Sequence, residues 1–148
     1  MGRIGVVADT HDEIAAWAPV RERLGEVFAG ASLIVHCGDA TSAQVLDELA
    51  EIAPVVAVRS AADPPADPPR LVDGPRVVEH DGLAVGVVVS LPEGTAVGEL
   101  FGRPVGLVLH GGTHAPSVEE RDGAVLVNPG SPTLAERHTV AVVDVADG

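Results

Sequence analysis

Three apolar runs of this chain end in residues that can ligate a metal. I-G-V-V-A-D-T-H delivers Asp9 and His11, L-I-V-H-C-G-D delivers Asp39, and G-L-V-L-H-G-G-T-H delivers His110 and His114. In an open parallel sheet, ligands gather at the carboxyl ends of the strands. If these runs are neighbouring parallel strands, Asp9, His11, Asp39 and His114 converge at one edge. Two carboxylates and two imidazoles make a mixed nitrogen–oxygen donor set, which suits Zn²⁺, Mn²⁺ or Fe²⁺ better than Ca²⁺ or Mg²⁺. Gly38, Gly111 and Gly112 would let the backbone turn tightly around such a cup.

Taken singly, each motif has a plainer explanation. An Asp-x-His is usually a turn or a helix cap, and a Gly-Asp after a strand carries less information still. Asp12 reads as a helix cap, and His80 and His138 read as surface residues. His36 lies inside an apolar run, which favours a hydrogen-bonded core histidine over a ligand. Cys37 reads as buried filler, because no helix N-terminus or basic neighbour is at hand to lower its pKa. The joint pattern of three strand ends carrying the right residue types is what points to a site.

Those strand ends require a scaffold. Runs rich in Val, Ile, Leu and Ala occur at Ile4–Ala8, Leu33–His36, Val55–Val58, Leu83–Val89 and Val105–Leu109. They are nearly continuous rather than alternating, as in strands buried on both faces. Between the first two, Ile14, Trp17, Val20, Leu24, Val27 and Phe28 recur at helical spacing. Pro19 interrupts this segment and predicts a break or kink, such as a short turn followed by a helix that starts at Pro19. Thr41 followed by Gln44 has the spacing of a capping box and predicts a second helix to about Glu51. The order strand–helix–strand–helix–strand implies βαβ crossovers and a parallel sheet. The second half is β-rich. Asp81-Gly82 and Asp122-Gly123 each sit between strand-like runs and predict two hairpins. H-T-V-A-V-V-D-V reads as a last strand. An α/β half followed by a β-rich half suggests two sheets packed face to face with helices outside.

The composition bounds the function. A chain of 148 residues with 46% apolar side chains suits a single domain over residues 1–148 with a true core. The net charge is −13 and every basic residue is Arg. No basic stripe is present, so a nucleic-acid backbone or an anionic membrane has no electrostatic footing. No run approaches the roughly 18–20 apolar residues of a membrane helix. A single cysteine, Cys37, cannot form an internal disulfide, and no secretory leader pattern is seen. These features together predict a cytoplasmic protein. An edge strand or an apolar helix face could support a homo-oligomer.

The motifs D-T-H, G-D, G-x-T-H and the later V-N-P-G-S, in this order and at these separations, resemble the small bacterial and archaeal calcineurin-like metallophosphoesterases, a family that includes phosphodiesterases. The resemblance covers essentially the whole chain, including V-V-A-V-R and N-P-G-S-P-T. It implies a four-layer αββα sandwich and a site for two divalent metals. The first metal's ligands in that family match Asp9, His11, Asp39 and His114, with Asp39 bridging. The second metal's private ligands do not match: Ala61 stands where Asn is expected, Ser90 or a near neighbour where His is expected, and Gly112 where the first His of G-H-x-H is expected. His110 could reach the second position only through a backbone bulge, and Asp63 or Glu93 could supply an oxygen.

The resemblance therefore implies a phosphoester hydrolase with one intact site and one degenerate site, holding one Mn²⁺, Zn²⁺ or Fe²⁺ per chain. Asp39 and His114 carry the catalytic role, and Asp9 and His11 bind the metal with them. A single ion can still activate water and act as a Lewis acid. Arg59, after a strand end, could offset phosphate charge, or could simply be solvated. Asn128 and Ser131 would support the site from the N-P-G-S loop. The second expectation, from a different class, is a catalytically inactive binding or scaffold module, for which the eukaryotic retromer subunit of this fold is the precedent. The partner would be a small phosphoester in the first case and a protein in the second. The Pro-rich insert Pro64–Pro69 could cover the site or meet that partner. A third possibility keeps the metal for other chemistry.

Overall fold

The computed structural model describes residues 2–10, 14–38, 40, 43–60, 63, 65, 70–92, 94–111, 116–131 and 139–145, with the side chains of 14–16 outside the description. The first half runs β1 (Gly2–Val7), α1 (Ile14–Val27), β2 (Leu33–His36), α2 (Ala43–Ala50), β3 (Val55–Arg59) and β4 (Leu71–Asp73). The second half runs β5 (Arg76–His80), β6 (Leu83–Val88), α3 (Val97–Phe101), β7 (Leu107–His110), β8 (Ser117–Arg121), β9 (Ala124–Asn128) and β10 (Ala141–Val145). Two five-stranded sheets result, in the orders β10-β1-β2-β3-β4 and β5-β6-β7-β9-β8. Strands β1 to β4 are parallel, and β10 closes the first sheet antiparallel to β1. In the second sheet β6, β7 and β9 are parallel, flanked by antiparallel β5 and β8.

Period-two alternation builds three cores from these strands. Ile4, Val6 and Ala8 of the β1 run face the second sheet with Leu33, Val35, Leu107 and Leu109, whereas Val7 and Ile34 face the helices with Trp17, Leu24, Phe28 and Leu46. Val108 and Leu126 point away from the inter-sheet core, toward α3. Helices, sheet, sheet and helix therefore form the four layers of an αββα sandwich. Both predicted hairpins are present. Asp81 and Gly82 have φ of 51° and 78°, and Asp122 and Gly123 have 53° and 78°. Two successive residues with positive φ define the tight turn that Asp-Gly favours.

Some expectations are corrected. Helix α1 neither breaks nor restarts at Pro19; it runs continuously from Ile14 to Val27. Pro19 lies near the helix N-terminus, so its missing N–H removes only the bond to residue 15, in the first turn. Trp17, Leu24 and Phe28 are buried on one side and hold the axis. Strand β4 pairs with β3, although its three residues carry no periodic signal. His80 is half-buried and bonded to the Ser32 hydroxyl at 2.7 Å rather than free on the surface. Among the described residues, no helix is long and apolar enough to cross a membrane.

Both phenylalanines of the chain lie on glycines in strands. A Cβ at Gly5 would stand 2.8 Å from the Phe28 ring, and one at Gly86 would stand 2.6 Å from the Phe101 ring. Each outer layer is thus seated on its sheet by a ring that needs the missing side chain.

Candidate metal centre

The strand ends of both sheets meet at one place. Cys37 N–H donates to Val7 O, and Asp9 N–H donates to Gly38 O, each at 2.9 Å, joining the ends of β1 and β2. Gly111 N–H donates to Val89 O at 2.9 Å, joining β6 and β7. The sheets touch through glycines. A Cβ at Gly111 would lie 2.9 Å from Ala8 Cβ and 3.3 Å from Asp9 Oδ2, and one at Gly38 would lie 2.9 Å from a Val89 methyl. The loop after β9 arrives as well, with Ser131 Oγ donating to Asp9 O at 2.7 Å. In that loop Asn128 Oδ1 accepts from Gly130 N–H at 2.9 Å. Asn128 and Ser131 are both buried.

Asp9 stands at the centre of this junction. It is 0% exposed and has φ of 53°, a left-handed conformation that Asp tolerates better than most residues. Its backbone is held on both sides, by Gly38 O and by Ser131 Oγ. The site suits a cation. The carboxylate is fully buried, and a Cβ at residue 111 would lie 3.3 Å from its Oδ2, so glycine there lets the second sheet pack closely against it. The carboxylate also makes itself felt at Cys37. Burial, and then the charge of Asp9, push that thiol far above its ordinary range. Cys37 is therefore an inert core residue, as expected from its neighbours.

His11, Asp39 and His114 lie outside the described residues, as do Ala61, Glu93 and Gly112. Accordingly, no group of three His, Cys, Asp or Glu side chains clusters among the described residues. Ser90 is exposed. Asp63 closes its own turn, its Oδ2 accepting from Ser60 N–H at 2.8 Å and from Ser60 Oγ at 3.0 Å. Arg59 pairs with Asp73 of the adjacent strand at 3.3 Å. Of the Pro-rich insert, Pro65 is described and exposed, whereas residues 64 and 66–69 are not.

His110 ends β7 in register with Val88. Two residues from Val108, it shares that residue's outer face, opposite the inter-sheet core. It is 7% exposed, and its Nε2 has no hydrogen-bond partner among the described residues. Burial lowers its pKa, and this outweighs the upward pull of the Gly111 backbone and of Glu119; Arg121 adds to the lowering. The unfolded chain, with a histidine pKa of about 6.5, then binds a proton that the folded chain refuses. The stability contributed by neutral His110 is complete above about pH 6.5 and is lost as pH falls toward the depressed folded value. The melting temperature should drop from pH 7 to 5.5 less steeply in His110→Leu than in the wild type. Equal slopes would refute this.

Residues 3–148 match the model of the calcineurin-like phosphoesterase superfamily domain. The chain belongs to that superfamily. A probable metallophosphoesterase of Methanocaldococcus jannaschii is 34% identical over 139 residues, covering 88% of this chain and 68% of the relative. Among solved structures, an archaeal phosphodiesterase superposes with a TM-score of 0.78 at 24% identity, over 96% of this chain and 93% of its own. Vps29 of Chaetomium thermophilum superposes with a TM-score of 0.77 at 22% identity, over 99% and 86%. At these identities the structures share the calcineurin-like fold with this chain. The same fold therefore serves a phosphodiesterase and a protein named for vacuolar sorting.

Sequence reasoning missed two features of the junction. One is the Ser131 bond to the Asp9 carbonyl across 122 residues. The other is the His36 side chain, whose two ring nitrogens both engage the loops. Thr10 Oγ1 lies 3.0 Å from Nε2, and Gly38 N–H donates to Nδ1 at 3.1 Å. The expectation of a hydrogen-bonded core histidine holds, but its partners could not be read from the sequence.

Proposed function

We propose that this chain is a cytoplasmic phosphoester hydrolase that works with one divalent ion, residues 1–148 acting as one domain. Asp9, His11, Asp39 and His114 would hold the ion, Mn²⁺, Zn²⁺ or Fe²⁺ by the chemistry of the donor set. The observation that carries the reading is Asp9, a fully buried carboxylate held in left-handed backbone where the strand ends of both sheets meet. A divalent ion supplies Lewis acidity and water activation at neutral pH. The chain's own part is to bind and orient. Gly38 and Ser131 fix the Asp9 backbone, and Gly111 lets the second sheet approach its carboxylate closely. The second site of the family is read as lost, because Ala61, Ser90 or a near neighbour, and Gly112 stand where its three private ligands are expected.

The test is hydrolysis of a generic phosphodiester, bis(p-nitrophenyl) phosphate, across a Mn²⁺ titration, with Asp39→Ala in parallel. Saturable, Mn²⁺-dependent turnover in the wild type and its loss in the variant are expected. Equal rates in the two proteins would overturn the hydrolase reading for this substrate class. That result would favour the second reading, a binding module on the same fold, to which the three replaced ligands and the Vps29-like architecture also speak.

A further inference from the structure

We infer that His36 is a positioning residue that sets the spacing between the two loops bearing the metal's carboxylates. The inference rests on the metal reading above and extends it to a side chain that no ligand motif contains. His36 is the last residue of β2 and is 0% exposed. Its neighbours in the strand, Val35 and Cys37, face the inter-sheet core, so alternation turns the imidazole to the helix side. From there it touches both loops. Gly38 N–H donates to Nδ1, which must therefore be unprotonated. The ring hydrogen then resides on Nε2 and is donated to Thr10 Oγ1. Thr10 lies between Asp9 and His11, and Gly38 immediately precedes Asp39.

A third bond closes the circuit, because Asp9 N–H donates to Gly38 O. The loop after β1 and the loop after β2 are thus tied twice, once through backbone and once through one imidazole in a single tautomer. Each tie falls on a residue next to, or on, a proposed ligand. Hydrogen bonds around a metal site orient its ligands, and their removal weakens metal affinity by roughly 10–100-fold. A neutral imidazole suits this task. It offers one acceptor and one donor on opposite sides of a rigid ring, a combination that no aliphatic side chain supplies.

The test uses His36→Leu, His36→Gln, Thr10→Val and the double variant His36→Leu/Thr10→Val in the full chain. Amide hydrogen exchange of the metal-free proteins is read at Asp9 and Gly38, with Val6 and Val35 as internal controls. Mn²⁺ affinity is measured on the same samples by electron paramagnetic resonance. Faster exchange at Asp9 and Gly38 with unchanged controls is expected in His36→Leu and Thr10→Val, together with a roughly 10–100-fold rise in the Mn²⁺ Kd. Gln at position 36 keeps a donor for Thr10 and should recover part of both. The double variant should lose less than the sum of the two single losses, because the two residues share one bond. Unchanged exchange at Asp9 and Gly38 in folded Thr10→Val would overturn the inference. So would additive losses. If the wild type takes up no Mn²⁺, the metal reading fails, while the exchange measurement still decides whether His36 ties the loops.

Discussion

Asp9→Asn should abolish Mn²⁺-dependent phosphodiester hydrolysis while leaving the fold intact. The two halves of this result have separate causes. Asn and Asp have nearly the same shape, and both tolerate left-handed backbone, so φ of 53° at position 9 can be kept. Two of the bonds that hold this residue run to its backbone, from its N–H to Gly38 O and from Ser131 Oγ to its carbonyl, and neither of these needs the carboxylate. The charge is what is lost. A neutral amide is a poor ligand for a divalent ion, and removing a direct ligand should cost at least the roughly 100-fold at the upper end for an outer-shell partner. Asp9→Ala is the informative contrast. It loses the ligand too, and it also places an ordinary side chain in left-handed backbone, at about 1–2 kcal/mol. Thermal melts and initial rates on the two variants check the result. Retained activity in Asp9→Asn would remove Asp9 from the site.

The largest expected loss of stability comes from Phe28→Ala. Phe28 is fully buried, and its ring lies against Gly5 in the middle of β1. Truncating a buried phenylalanine to alanine costs about 3–5 kcal/mol, from lost burial plus the cavity left behind. In a chain of this size that lowers the melting temperature by roughly 10–20 °C. Gly5→Ala attacks the same contact from the other side. Its methyl group would stand 2.8 Å from the ring and displace it, at about 1–3 kcal/mol. The double variant should be more stable than the sum of the two losses predicts, because the new methyl enters the space that the ring vacates. Denaturant unfolding of the four proteins measures the coupling, and strict additivity would refute the contact. Phe101 over Gly86 repeats the arrangement in the second sheet, where the ring is half-buried and the loss should be smaller.

Much of the architecture was legible because its signals are local. Strands buried on both faces must be continuous in Val, Ile, Leu and Ala, and Leu33–His36 could be bounded to the residue from that alone. Asp-Gly marks a two-residue turn through its own backbone preferences, so both hairpins could be placed. The position of Asp9 just past β1 was legible because the apolar run stops at Ala8.

Other features required the tertiary structure, because their causes act through space rather than along the chain. Local propensity says that Pro19 breaks a helix, but the packing of Trp17, Leu24 and Phe28 on the sheet carries α1 through it. His110 and Asp9 look equivalent in sequence, each polar and each ending an apolar run. The alternation of β7 places His110 on the outer face, while the turn after β1 brings Asp9 to the junction. The sequence by itself determined which residues end the strands and hence which chemistry could gather there. Only the tertiary structure decided which loops touch: Ser131 on Asp9, Gly111 against Ala8, and one imidazole between Thr10 and Gly38. Those contacts join residues from 2 to 122 positions apart. Hydrogen bonding and close packing act through space, and no local sequence pattern encodes the partner of a bond that the fold itself brings within reach.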